Sequence, residues 1–167
     1  MRIVFVCLGN ICRSPAAEAI FAAQAQQAGL DVEIESAGTG SWHIGEQPHQ
    51  GTRQEARSRD IAVDHLGQQF TSSDFGRFDV VVAMDSSNVS DLLDLAPDRE
   101  SRDKVVRMGQ FAPDVQRTGV LDVPDPYGKP QQAFSAMFDQ LEPAAAGLVA
   151  AIQNGSVAGR ASVGDDR

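Results

Sequence analysis

The sequence predicts an α/β fold, an open sheet covered by helices on both faces, and three observations carry that expectation. Short, β-branched apolar runs recur at Arg2–Val6, Val32–Ile34, Phe78–Met84 and Lys104–Met108, each the length of a strand rather than a helix. Helical patterns separate the runs, and strand, helix, strand is the layout of a parallel sheet. Size agrees: 167 residues with 42% hydrophobic content suffice for one well-buried domain.

Arg2-Ile3-Val4-Phe5-Val6 opens the chain as a buried strand, and a loop from Cys7 to Arg13 follows it. Ser14 offers a helix cap, with Pro15 at the first helical position. Ala16, Ala17, Ala19-Ile20, Ala23 and Ala28 continue that helix to Gly29, a natural terminator. Val32-Glu33-Ile34 alternates as a second strand and ends in Ser36-Ala37-Gly38-Thr39, so the first three elements form a right-handed parallel unit. Gly38 to Gly51 is a Gly/Pro-rich loop holding Trp42, the only tryptophan, with His43 and His49, for which the sequence suggests no role. Pro48 to Arg59 reads as a polar helix, followed by Ile61-Ala62-Val63 and an irregular link. Phe78–Met84 is the clearest buried strand. Asp85-Ser86-Ser87-Asn88 then caps a helix over Asn88–Leu95, stopped by Pro97, before the fourth strand at Lys104–Met108. Such a series specifies an open sheet of flavodoxin-like type. Leu121–Gly128 is loop by composition, and Gln131–Gln153 is a terminal helix with a kink or break expected at Pro143. The domain therefore spans 1–153, and 154–167, rich in Gly, Ser and Asp, is expected to be a flexible tail.

Composition excludes several functions. No apolar run approaches the ~20 residues of a membrane span. A strand at the very start leaves no room for a signal peptide, and two cysteines in one loop build no disulfide framework, so a reducing, cytoplasmic compartment is expected. A net charge of -9 argues against nucleic acid as a partner, and no credible metal-ligand cluster is present.

The chemistry concentrates in Val6-Cys7-Leu8-Gly9-Asn10-Ile11-Cys12-Arg13-Ser14-Pro15. A loop between a strand and a helix N-terminus favours an anion through its backbone amides and the helix dipole. Gly9 permits unusual backbone angles, and Arg13 offers a planar fork for two oxygens of a phosphate. The same positive surroundings, with the Ser14 hydroxyl, favour a thiolate at Cys7. The bland alternative is a small buried cysteine at a strand end. The combination points instead to a nucleophile held beneath a phosphate.

That run closely resembles the signature of the low-molecular-weight protein tyrosine phosphatases, and the resemblance covers residues 2 to 153. It implies a three-layer sandwich with four parallel strands in the order 2-1-3-4. It implies phosphate binding by Leu8, Gly9, Asn10, Ile11, Cys12 and Ser14 with Arg13, and ping-pong transfer through a phosphocysteine at Cys7. Asp125 in Asp125-Pro126-Tyr127 becomes the general acid that protonates the leaving phenolate, and Tyr127 and Trp42 wall the substrate ring. Ser36 is implied to hold Asn10, and Asp85 to hold His65 in a support network. Taken alone, Ser36 and Asp125 also fit turns, Trp42 surface packing and Asp85 a helix cap. Gly128 stands where the family often has a second aromatic. Cys12 is either packing or a resolving thiol for oxidised Cys7, as the family's paired loop cysteines behave. The implied partner is a phosphotyrosine protein, with inorganic phosphate as product, no cofactor, no metal, no membrane, and a monomer or weak dimer. Rivals on the same fold are an arsenate reductase, which needs further cysteines, and a protein-arginine phosphatase, which carries Thr where Ile11 stands. A phosphocysteine carrier of the sugar-transport type needs no acid at Asp125, and a dead phosphopeptide-binding module would lack Cys7 or Asp125.

Overall fold

Alternation along the first strand sets the architecture. In β1 (Arg2–Cys7), Ile3, Phe5 and Cys7 enter one core cluster while Val4 and Val6 enter another. A strand buried on both faces requires cover on both. In the computed structural model, which describes residues 1–157, that cover is present. The Ile3 face packs against α1 (Arg13–Gln27), α2 (Gln50–Ser58) and, numbered last in the chain, α6 (Gln131–Gln153). The Val4 face packs against α3 (Ser86–Leu95) and Phe70, Phe75 and Phe78. Between them lies a four-stranded parallel sheet of β1, β2 (Glu33–Gly38), β3 (Val80–Ala83) and β4 (Val105–Arg107), in the order β2-β1-β3-β4. This is the expected three-layer, flavodoxin-like sandwich. Register places Cys7 beside Gly38 and Val6 beside Ala83, so the loops after β1, β2 and β3 leave the sheet together. Ligands bind at such carboxyl ends.

Several boundaries differ from the sequence reading. Ser14 does not cap α1: the helix begins at Arg13, with Cys12 as a cap that makes no side-chain hydrogen bond. The Ser14 hydroxyl is drawn instead to Cys7 and Asn10 inside the loop. The far end behaves as expected, with Gly29 at φ 69 and the paired bonds Gly29 N–H to Gln26 and Leu30 N–H to Ala25. β2 runs on through Ser36-Ala37-Gly38 because those residues continue the ladder with β1. The short helices α4 (Arg99–Asp103) and α5 (Val115–Thr118) and the 3₁₀ turns at Ser72–Gly76 and Met108–Phe111 escaped the sequence reading, being too short to show a period.

α6 is not broken at Pro143. An interior proline costs about 3 kcal/mol. Burial of Phe134, Met137, Phe138, Leu141 and Leu148 along one face, at roughly 1.5–3 kcal/mol each, outweighs it. Packing continues past this helix to Val157, which is buried, after a turn with Gly155 at φ 71. The rest of the expected tail, 158–167, lies outside the described residues. Among the described residues no helix is long and apolar enough to cross a membrane.

Candidate active site

The loop after β1 is gripped from two sides before any side chain is considered. Thr39 and Gly40 donate backbone N–H groups to the carbonyls of Cys7 (3.0 Å) and Leu8 (2.9 Å), and His49 donates to Ile11 (2.7 Å). Gly38 permits this approach, since a Cβ there would stand 2.7 Å from the Leu8 carbonyl oxygen. The left-handed backbone of the loop falls on Asn10, at φ 57, and not on Gly9. Asparagine tolerates that region because its short amide can bond locally. Gly9 serves close approach instead: a Cβ there would meet the His43 ring at 3.2 Å.

Asn10, 1% exposed, is the hub of the loop. Its Nδ2 donates to Ser14 Oγ (2.8 Å) and Ser36 Oγ (3.1 Å), and its Oδ1 accepts from His65 Nε2 (2.7 Å) and the Gln68 N–H (2.9 Å). Ser36 thus holds Asn10, as the resemblance implied. His65 is held by Asn10 and by Glu18, whose carboxylate lies 3.3 Å from His65 Nδ1 and accepts from Ser36 Oγ at 3.0 Å. The expected Asp85–His65 contact does not form. His65 lies on the β2 side of the loop and Asp85 follows β3 on the other, so β1 separates them. Glu18 escaped the sequence reading; its signal was the single acid in the alanine-rich helix α1.

Asp85 has two other tasks. Its Oδ1 accepts the Asn88 N–H at 2.8 Å, capping α3, and its Oδ2 accepts from Arg13 Nη1. Arg13, only 3% exposed, also donates Nη1 to the Val123 carbonyl (3.1 Å), and its Nη2 lies 3.8 Å from Asp125 Oδ2. Burial opposes charge on Arg13. The Asp85 hydrogen bond and the charges of Cys7, Asp85 and Asp125 more than offset that burial, raising its pKa above the usual range. The guanidinium is a fixed cation.

Cys7 Sγ is enclosed by polar donors. It lies 3.0 Å from Ser14 Oγ and accepts the Asn10 N–H at 3.3 Å. The first amides of α1 have no partner within the helix and stand at the same loop. Cys12 differs. Burial, with the charges of Asp125 and Cys7, pushes its thiol up to about 12, and Arg13 opposes only in part. Its carbonyl accepts from Thr52 Oγ1 at 3.1 Å. Both cysteines are free and buried.

Above Cys7 opens a cavity of about 210 Å³. Leu8, Gly9, Ile11, Cys12 and Arg13 form its lower wall, and Trp42, His43, Asp125 and Tyr127 its mouth. Trp42 folds over Gly40, where a Cβ would stand 2.0 Å from its ring. Asp125 Oδ1 accepts the Tyr127 N–H at 3.1 Å, which fixes the carboxylate within an exposed turn. Tyr127 is braced edge-on by His49, with centroids 5.7 Å apart, and His49 stacks on Phe134 at 4.9 Å. The Nδ1 of His49 also accepts the Gly51 N–H, capping α2. The sequence suggested no role for His43 or His49; His43 pairs locally with Glu46, and it is the ring contacts to Tyr127 and Phe134 that come from distant segments. Among the described residues no group of three or more His, Cys, Asp or Glu could hold a metal ion. The arrangement sets a thiol at a loop with free backbone amides, a fixed cation beside it and a carboxylate at the cavity mouth.

Known proteins match this chain in sequence and in fold. Residues 2–158 match the sequence model of the family described as low molecular weight phosphotyrosine protein phosphatase. A low molecular weight protein-tyrosine-phosphatase of Streptomyces coelicolor is 43% identical over 163 residues, covering 96% of this chain and 98% of its own. A protein tyrosine phosphatase structure from Entamoeba histolytica superposes with a TM-score of 0.87 at 38% identity, over 93% of this chain and 98% of that one. YfkJ of Bacillus subtilis superposes with a TM-score of 0.84 at 37% identity, over 93% and 96% of the two chains. With sequence and fold matching nearly end to end, the chain belongs to the low molecular weight phosphotyrosine protein phosphatase family.

Proposed function

We propose that the protein hydrolyses phosphotyrosine in proteins, with Cys7 as nucleophile, Arg13 as phosphate clamp and Asp125 as general acid and base. The observation that carries this reading is the shared cavity, in which all three meet beneath two exposed aromatic rings. The Cys7 thiolate attacks phosphorus, the bond to the phenolic oxygen breaks, and Asp125 gives its proton to that oxygen. Loop amides and Arg13 neutralise the equatorial oxygens. A water then attacks the phosphocysteine and gives a proton to Asp125, and the S–P bond breaks to release phosphate. The leaving thiolate is received by Ser14 Oγ and the Asn10 N–H, which already contact the sulfur.

Trp42 and Tyr127 are assigned to the substrate ring, and the apolar Ile11 on the cavity wall favours an aryl phosphate over phosphoarginine. All of these groups come from one chain, so a monomer suffices, and two free thiols suit a reducing, cytoplasmic setting. Steady-state rates on matched phosphotyrosine, phosphoserine and phosphoarginine peptides without added metal test the reading. Turnover of the phosphotyrosine peptide is expected to lead. A faster rate on phosphoarginine would reassign the substrate, and no turnover of any would overturn the proposal.

A further inference from the structure

The exposed apolar side chains of this protein are not scattered. Among the described residues, every large apolar side chain left exposed, apart from Met1 and Val120, belongs to the Cys7 loop, the segment at 42–46, the segment at 64–68 or the Tyr127 turn. Leu8, Trp42 and Tyr127 belong to the cavity itself. Ile44 and Leu66 do not line it, yet they are 58% and 61% exposed on the two segments that flank its Trp42 side. Concentration of apolar surface at one place on a monomer marks a contact site.

The two segments form one ledge. Gly45 donates its N–H to the Gly67 carbonyl at 2.8 Å, and Gly67 donates to the Glu46 carbonyl at 2.8 Å. Gly67 allows this contact, since a Cβ there would stand 2.1 Å from the His43 carbonyl oxygen. The ledge is anchored from behind as well. His65 and Gln68, on either side of Leu66 and Gly67, both donate to Asn10 Oδ1. Ile44 is one residue from His43, whose Nδ1 is paired with Glu46 at 2.7 Å. A surface held this firmly costs little ordering entropy when something docks on it.

We propose that Ile44 and Leu66 form a docking ledge for an apolar side chain of the substrate polypeptide, next to the phosphotyrosine that enters the cavity. The proposal rests on the phosphatase reading above. Continuity identifies the occupant: the mouth residues Trp42 and His43 run directly into Ile44, so the ledge adjoins the opening that takes the phosphotyrosine. Charge narrows it further. Glu46 and Asp64 are exposed beside the two apolar residues, so acidic flanking residues are disfavoured and neutral or basic ones accepted. The predicted substrate is a phosphotyrosine flanked by a Leu, Ile or Val and without adjacent acids.

The test compares kcat/KM for phosphotyrosine peptides carrying Leu, Ser or Glu at the flanking positions, using the parent and an Ile44→Ser, Leu66→Ser double variant. Free phosphotyrosine serves as the reference for each protein. The parent is expected to favour the Leu peptide over the Ser peptide by about tenfold, mainly through KM, as one apolar side chain leaving water predicts. In the double variant the preference should shrink to about twofold or less, with free phosphotyrosine turned over at the parental rate. A parent with no preference overturns the ledge, as does a double variant whose losses on free phosphotyrosine match those on the Leu peptide. Sedimentation showing a parental dimer that the double variant abolishes gives the surface to a second copy and also overturns the proposal. A parent inactive on free phosphotyrosine and on every peptide defeats the phosphatase reading itself, which separates that failure from failure of the ledge.

Discussion

Asn10→Ala is expected to cost the protein about 5 kcal/mol of stability. The variant deletes four side-chain hydrogen bonds, to Ser14, Ser36, His65 and Gln68, from a residue 1% exposed. At roughly 1 kcal/mol net for each, their loss amounts to ~4 kcal/mol. Alanine must also adopt the backbone that Asn10 holds at φ 57, at a further cost of about 1 kcal/mol. Since domains of this kind are stable by about 5–15 kcal/mol, the variant should fold when cold and approach its midpoint near body temperature. Guanidinium unfolding followed by far-ultraviolet circular dichroism is the assay, because Trp42 is 68% exposed and its fluorescence reports poorly on packing. The midpoint should fall while the slope is unchanged. A cycle with Ser36→Ala should reveal a coupling of about 1 kcal/mol, since the two side chains share one bond at 3.1 Å. A loss below about 1.5 kcal/mol, or independent effects in the cycle, would refute the assignment of Asn10 as the hub of the loop.

Further outcomes follow from the site. Cys7→Ser should abolish turnover while still binding vanadate by calorimetry, and Arg13→Lys should fail almost as completely, because one ammonium cannot serve Asp85, Val123 and a phosphate together; near-normal kcat in either removes that residue from the chemistry. Asp125→Ala should lose about 10²–10⁴-fold in kcat on a phenyl phosphate with a poor leaving group and much less on p-nitrophenyl phosphate, and equal losses would make Asp125 structural. The Cys12 pKa, pushed up to about 12, keeps that thiol protonated at pH 8, so iodoacetamide should label Cys7 and spare Cys12 in peptide maps until the protein is unfolded. After peroxide treatment, a Cys7–Cys12 disulfide should form faster as pH rises from 7 to 9, because the resolving thiolate becomes more abundant in that direction; a rate independent of pH would argue that Cys12 is packing alone.

Local patterns proved reliable wherever one segment sufficed. The strand at Arg2–Cys7, the terminal helix at Gln131–Gln153 and the cap at Asp85 all rest on neighbours within a few residues. Errors arose where a side chain had competing partners. Ser14 is a good helix cap in isolation, but the sulfur 3.0 Å away and the Asn10 amide claim its hydroxyl. Asp85 was expected at His65 and bonds Arg13 instead, while Glu18 takes the histidine. Pro143 should break a lone helix, and the core on one face prevents it.

The sequence by itself determined the sheet and the loop that carries Cys7 and Arg13. Each is written in contiguous residues whose backbone preferences and chemistry act locally. Only the tertiary structure decided who holds whom around that loop. The Asn10 hub joins residues up to 58 positions apart, and Arg13 reaches Val123 across 110. Parallel strands bring such distant segments to one end of the sheet. There, distance and burial, not sequence spacing, select the partner of each polar group.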